Sequence, residues 1–427
     1  MEDFCEETEV LEMRKPGFGL KDAPRLWNIA LRKVLREIGV SPLSVDNQLY
    51  VKHDKQNRLI LAISVHVDDL KLTGHPTEVK TAQDKLEEQF DEMKCEANDF
   101  EHLGLRHSKH ADGSVSVDQI HYAKELRLIP ESDLRLHPQD PVSPEVAKLY
   151  MSLLGGVAWL VQTRLDICVF VSALQRRLKE PRGQDVIALN RIVKYVQKNP
   201  LQLFYRKVDR PWKLIAISDS CYQSKDNDGL AMRSGLVVLT DKEGLTVGDN
   251  KAQLLEYVSR KQSRVCRSTY AAELYSALDL IGAAINISLG LTEVLSGVKS
   301  ATQLADMLEN GRNVLSLDCV IDARSVLDSI SQSEVKTPND RIMYIHALKL
   351  REHLDRNQIS RLIWVDTRDM TADALNKGPG TVSRDSIHKF MLEAIIRICH
   401  EPKILHAPSL GDSRAKHRDK QPESKCT

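Results

Sequence analysis

The chain has 427 residues, enough for two or three domains that each bury their own core. Lys plus Arg and Asp plus Glu number 60 each, so no net field draws the chain to nucleic acid and any such binding must use local patches. Hydrophobic residues at 42% and charged residues at 28% argue against wholesale disorder, and the eight cysteines have no C-x-x-C pair, so they read as reduced thiols of an intracellular protein.

The N-terminus, MEDFCEETEV, is acidic where a secretory signal would be basic and then apolar. Asp22 near the cap, Pro24 in the first turn and Gly39 as the stop frame a helix over Arg25 to Ile38, with Trp27, Leu31, Val34, Leu35 and Ile38 on one face. Leu59 to Val67 and Leu70 to Thr73 are strand-like runs on either side of Asp68-Asp69, which predicts a hairpin with two carboxylates at its tip. Lys80 to Phe90 is a further helix, and residues 111–144 read as short strands and turns.

Val146 to Leu178 and Asp185 to Gln197 read as helices stopped near Pro181 and Pro200. From Trp212 three strands follow, Trp212 to Ser218, Ser234 to Leu239 and Leu254 to Ser259, then a long helix from Ser268 to about Leu289. A strand at Ser316 to Ile321, helices at Ala323 to Ile330 and Arg341 to Arg356, a strand at Arg361 to Val365 and a short helix from Met370 complete a mixed sheet flanked by helices. Residues from about Glu401 carry few apolar side chains and are expected to be a disordered tail. The apolar stretches Met151 to Leu174, interrupted by charges, and Leu280 to Leu291, too short for a bilayer, predict no membrane segment, and a cytoplasmic or nuclear location.

No Gly-rich phosphate loop, nucleophile elbow or H-E-x-x-H motif occurs, so chemistry must come from carboxylates. Asp219 ends the first strand of the sheet, Glu273 lies in the first turns of the long helix, Asp322 ends the fourth strand and Asp373 opens the last helix. Carboxylates gathered on one rim repel one another unless cations neutralise them, which suits two Mg2+ ions, or Mn2+ in their place.

The phrases around these acids carry a resemblance. Ala216-Ile217-Ser218-Asp219-Ser220, Arg233-Ser234-Gly235, Ser259-Arg260-Lys261-Gln262, Ser268-Thr269-Tyr270-Ala271-Ala272-Glu273-Leu274, Val320-Ile321-Asp322-Ala323 and Ala372-Asp373-Ala374-Leu375-Asn376-Lys377 together resemble the ribonuclease H domain of Ty1/copia retrotransposons. Leu153-Leu154-Gly155-Gly156 with Thr163-Arg164-Leu165-Asp166-Ile167 is similar to that family's connector, and Gly17-Phe18-Gly19-Leu20-Lys21-Asp22-Ala23-Pro24-Arg25 with Val65-His66-Val67-Asp68-Asp69 to its polymerase palm.

The resemblance implies an α+β and α/β multidomain chain: a truncated reverse transcriptase over 1–145, a helical connector over 146–205, an RNase H-like domain over 206–380, and a terminal helix with a disordered tail over 381–427. It assigns Asp219, Glu273, Asp322 and Asp373 as RNase H metal ligands, and Asp68 and Asp69 as a polymerase remnant. The acids before Phe18, namely Glu2, Asp3, Glu6, Glu7, Glu9 and Glu12, lack the strand a third palm acid needs, so no DNA synthesis is expected of this chain alone. His346 stands near the family's His-containing phrase without matching it and is left out of the catalytic set. Two functions stay open: Mg2+-dependent cleavage of the RNA strand of RNA/DNA hybrids, or a catalytically inactive remnant that binds nucleic acid or a protein.

Overall fold

Leu31, Val34, Leu35 and Ile38 form the buried stripe of α1 (Ala23–Ile38), which stops at Gly39 in a left-handed conformation. The computed structural model describes residues 17, 19–131, 134, 137–222, 230–312, 315–332, 335–338, 340–377 and 383–408. Phe18, the six candidate acids before it and most of the expected tail lie outside the described residues.

The chain divides into two compact units, the first comprising residues 1–95 with 292–301. After α1 come β1 (Ser41–Pro42), β2 (Leu49–His53), β3 (Leu59–His66), β4 (Asp69–Gly74) and α2 (Pro76–Phe90), the strands forming one antiparallel sheet in chain order. Leu61, Ile63 and Val65 alternate inward from β3 and meet the α1 stripe together with Ala82 and Leu86 of α2. Each such large side chain contributes about 1.5–3 kcal/mol on burial. Glu293, itself buried, belongs to this unit and accepts from the amides of Ser44, Val45 and Lys299, so its charge is paired with donors.

The expected carboxylate hairpin is present. His66 pairs with Asp69, leaving Val67 and Asp68 as a two-residue turn in which Val67 has φ 55°. Positive φ at the first turn position alone is the pattern that prefers glycine, and a β-branched residue there is strained. Because Val67 is 63% exposed, Val67→Gly removes strain at little cost in burial. It is expected to stabilise the protein by about 1 kcal/mol, read as a higher urea midpoint at unchanged slope; an unchanged or lower midpoint would contradict the strain.

The second unit, residues 96–291 and 302–427, starts fifty residues earlier than the break expected after 145. The reason is pairing: β5 (Asp99–His102), β6 (Leu105–Lys109) and β7 (Val115–Asp118) form an antiparallel sheet completed by β8 (Leu203–Tyr205). Between β7 and β8 lie α3 (Ile120–Glu125), α4 (Pro144–Leu160), α5 (Cys168–Gln175) and α6 (Gly183–Lys198). Tyr150, Leu154, Val157, Ile167, Val186, Leu189 and Val193 make their common core. The single helix expected over Val146 to Leu178 is broken between α4 and α5, where the buried Arg164 grips Asp166 through two nitrogens and donates to the Asn199 carbonyl. Burial works against the Asp166 charge, yet Arg164, His388 and Tyr195 hold its carboxyl below the usual range.

The larger sheet contains β9 (Lys213–Cys221), β10 (Leu230–Thr240), β12 (Gln253–Val265), β13 (Ser316–Ile321), β14 (Arg361–Trp364) and β16 (Lys403–His406). Their spatial order is β12-β10-β9-β13-β14-β16, with β9, β13 and β14 parallel and the outer strands antiparallel. The short strands β11 (Gly248–Lys251) and β15 (Ile395–Ile398) pair separately. The helices are α7 (Thr269–Ser296), α8 (Ala301–Glu309), α9 (Arg324–Ile330), α10 (Ile342–Asp355) and α11 (Ser383–Glu393). The first residues of the tail expected to be disordered from Glu401 are instead ordered: β16 pairs with β14, placing Leu405 opposite the buried Leu362.

By length and composition α7 could cross a bilayer, the one such helix among the described residues. Its Ala271, Ala272, Leu274, Ala277, Leu280, Ile281 and Ala284 are nevertheless buried within the protein. Gly235 of β10 lets it sit close, since a Cβ there would come 2.6 Å from Leu280 Cδ2.

Candidate metal centre

Strand register builds the site. Ile217 of β9 pairs in parallel with Val320 of β13, so Asp219, still within β9, and Asp322, just past the end of β13, stand side by side, each two residues further on. Glu273 comes from the first turns of α7. One carboxylate oxygen from each of Asp219, Glu273 and Asp322 lies within 4.8 Å of the others, the only such group of three among the described residues.

Supporting contacts hold the acids in place. Asn376 Nδ2 donates to Asp219 Oδ2 at 2.7 Å, Thr367 Oγ1 donates to Asp322 Oδ2 at 2.9 Å, and Trp364 Nε1 donates to the Asp322 carbonyl. Ser276 Oγ donates to the Asp219 carbonyl at 2.9 Å, tying α7 to β9. Asp373 stands in a 3-10 turn, Thr371–Leu375, rather than a regular helix; outside the tight group of three, it is ion-paired with Lys377 and lies against the Asp219 carboxyl. The same Lys377 ammonium lies 3.9 Å from Asp219 Oδ2.

The electrostatics are those of a crowded acidic site. Burial, then Glu273, Asp322 and Asp373, push the Asp219 carboxyl well above the ordinary carboxylate range. Burial and Asp322 push Glu273 up to about 8. Asp322 is raised by burial, with Thr367 and Lys377 pulling it back. Burial opposes the charge on Lys377, but Asp219, Asp373 and Asp322 outweigh it and keep the group an ammonium.

Glu273 Oε2 is buried without a hydrogen-bond partner. An orphaned oxygen on one of three gathered carboxylates fits a divalent cation, which takes oxygen ligands and removes the mutual repulsion. Asp219, Glu273 and Asp322 would hold it.

Asp68 and Asp69 present a different picture. Both are exposed at the β3–β4 turn, with no third acid grouped beside them among the described residues. Trp27 Nε1 donates to the Val67 carbonyl at 2.6 Å, so α1 steadies this turn.

His346 packs edge-on against Tyr275 with ring centres 4.8 Å apart, and burial and Arg264 lower its pKa. It stands outside the acidic group. Sequence reasoning did not single out Asn376, Lys377, Thr367 or Ser276. The first two had a visible signal, because residues three and four after Asp373 return to its side of a helical turn.

The family model described as reverse transcriptase (RNA-dependent DNA polymerase) matches residues 2–134. The chain is 25% identical over 401 residues to the retrovirus-related Pol polyprotein from transposon RE1 of Arabidopsis thaliana, covering 89% of this chain and 24% of that protein. Its identity to the corresponding RE2 polyprotein of Arabidopsis thaliana is 25% over 388 residues, covering 86% of this chain and 24% of the relative. A putative transposon Ty5-1 protein of Saccharomyces cerevisiae is 25% identical over 203 residues, covering 44% of this chain and 64% of that protein. The chain thus spans about a quarter of the length of the two Arabidopsis relatives it matches.

Proposed function

We infer, from this chain's similarity to Ty1/copia-type Pol polyproteins, that residues 206–380 form a ribonuclease H, which hydrolyses the RNA strand of RNA/DNA hybrids with the help of Mg2+. The observation that carries the reading is the convergence of buried Asp219 and half-buried Glu273 and Asp322 from β9, α7 and the end of β13 onto one point. Their neighbourhood supports it, with Asp373 and Lys377 alongside and an unpartnered Glu273 oxygen inside. The regions proposed are a reverse transcriptase segment over 1–145, a connector over 146–205 and the nuclease over 206–380.

Divalent cations at such a site activate a water and stabilise the leaving oxygen of a phosphodiester. The chain's own residues supply the rest. Asp219 and Asp322 are fixed by the parallel pairing of their strands, so the ligand spacing is set by the backbone, and Thr367 and Asn376 orient the carboxylates. Exposed Arg260, Arg264 and Arg267 lie along the run from β12 to α7 that delivers Glu273, supplying local positive charge for phosphates in a chain with no net charge. A hybrid is then recognised by its backbone and 2′-hydroxyls rather than its bases.

The test is cleavage of an end-labelled RNA/DNA hybrid by the full chain in Mg2+. Asp322→Asn is expected to lower the rate by about a thousandfold or more, because one metal ligand is gone. Asp68→Asn is expected to leave it unchanged. Cutting that survives Asp322→Asn sinks the assignment of the site. No cutting by folded protein points instead to a remnant that binds without cleaving.

A further inference from the structure

Four carboxylates and one ammonium share the site. Lys377 sits one residue beyond Asn376, which is anchored to both Asp219 Oδ2 and Ser234 Oγ at 2.7 and 2.8 Å. That anchor limits where the lysine can reach, and its ammonium meets Asp373 and, at 3.9 Å, Asp219. Its side chain is 28% exposed, so a route to solvent remains open to it. An ammonium at this position provides the positive charge that the carboxylates require when no divalent ion is bound.

We propose that Lys377 is a built-in counter-cation of this centre, a positioning residue that keeps the carboxylates together in the metal-free chain and yields its place when a divalent ion enters. The proposal rests on the metal-centre reading above. Its consequence is a metal affinity set below what the carboxylates alone would give, since each binding event must displace a bound positive charge. A lysine suits this role because its flexible stem lets the charge withdraw without moving the backbone.

The experiment is thermal unfolding of the full chain across a Mg2+ titration, with EDTA as the zero point, for the native protein, Lys377→Met and Lys377→Arg. Methionine keeps the stem and removes the charge. Lys377→Met is expected to melt lower than the native chain in EDTA and to reach half of its Mg2+-induced shift at about tenfold lower Mg2+. Lys377→Arg is expected to restore both values toward native, because it restores the charge. A lysine with only a structural contact would lower melting equally at every Mg2+ concentration and leave the half-saturation point where it was, which overturns the proposal. A native chain without any Mg2+ response would overturn the metal-centre reading and this proposal with it, whereas a native response that Lys377→Met leaves unmoved removes the proposal alone.

Discussion

Asp219→Asn is expected to reduce hybrid cleavage by about a thousandfold or more while raising the melting temperature of the metal-free protein. The opposite signs follow from one geometry. Asp219 is 1% exposed and faces Glu273, Asp322 and Asp373, so its charge is desolvated among like charges. Asparagine keeps the shape, removes the charge and retains an oxygen that can accept from Asn376. Relief of this kind is on the order of 1–3 kcal/mol, which corresponds to a shift of several degrees in a protein of this size. In saturating Mg2+ the gap should shrink, because the native site gains about 2.7 kcal/mol at a hundredfold excess over Kd and the substituted site gains less. Calorimetry of both proteins in EDTA and in Mg2+ checks all four values. If Asp219→Asn melts lower in EDTA, the carboxylate is a structural anchor and the acids are not held together against repulsion.

What could be read in advance follows the physics of each element. Strand β13 matches its expected bounds, Ser316 to Ile321, because a central strand covered on both faces is mostly apolar, here Leu317, Cys319, Val320 and Ile321, with Asp318 accommodated by ion pairs to Lys213 and Arg361. β9 and α1 were legible for similar reasons, a dense apolar run and a framed amphipathic stripe. Strands β5, β6, β8, β11 and β15 were not, since each has only three to five residues and owes its existence to a distant partner. Val117 pairs with Leu203, and Gly248 with Ile398, contacts that no local window contains.

The site divides in the same way. The identities of Asp219, Glu273, Asp322 and Asp373 could be taken from the phrases around them, but their convergence needed the parallel register of β9 and β13. Three meet closely, and the fourth is engaged by Lys377, a distinction that sequence spacing does not carry. The hairpin at Asp68-Asp69 was legible as a turn between two strands, whereas the positive φ of Val67 and its hydrogen bond from Trp27 were not.

Without metal, the protein is expected to lose stability as pH rises from about 6.5 to about 8, the reverse of ordinary acid denaturation. The sign comes from the direction of the shifts. Asp219, Glu273 and Asp322 all have carboxyls raised in the folded state, Glu273 up to about 8. A raised acid binds its proton more tightly when folded, so its contribution is full below the unfolded value, near 4, and is lost as pH passes through the folded value. Lys377, raised from 10.5, stays charged throughout this window and does not add to the slope, while His346 and His353, lowered by burial, add stability as pH rises to about 6.5 and oppose the loss only below that point. Asp166, Asp249 and Asp366 are lowered, and their contributions are already complete above the ordinary carboxylate range. The loss between about pH 6.5 and about pH 8 should be on the order of a few kcal/mol in EDTA. Mg2+ should cancel most of it, since ionised carboxylates are the form that binds metal, so the Mg2+-induced rise in melting temperature grows with pH. Asp219→Asn should flatten the EDTA profile because it removes one member of the set. A flat profile in the native protein would mean that the three carboxylates do not crowd one another at one point, and the metal centre would lose its electrostatic basis.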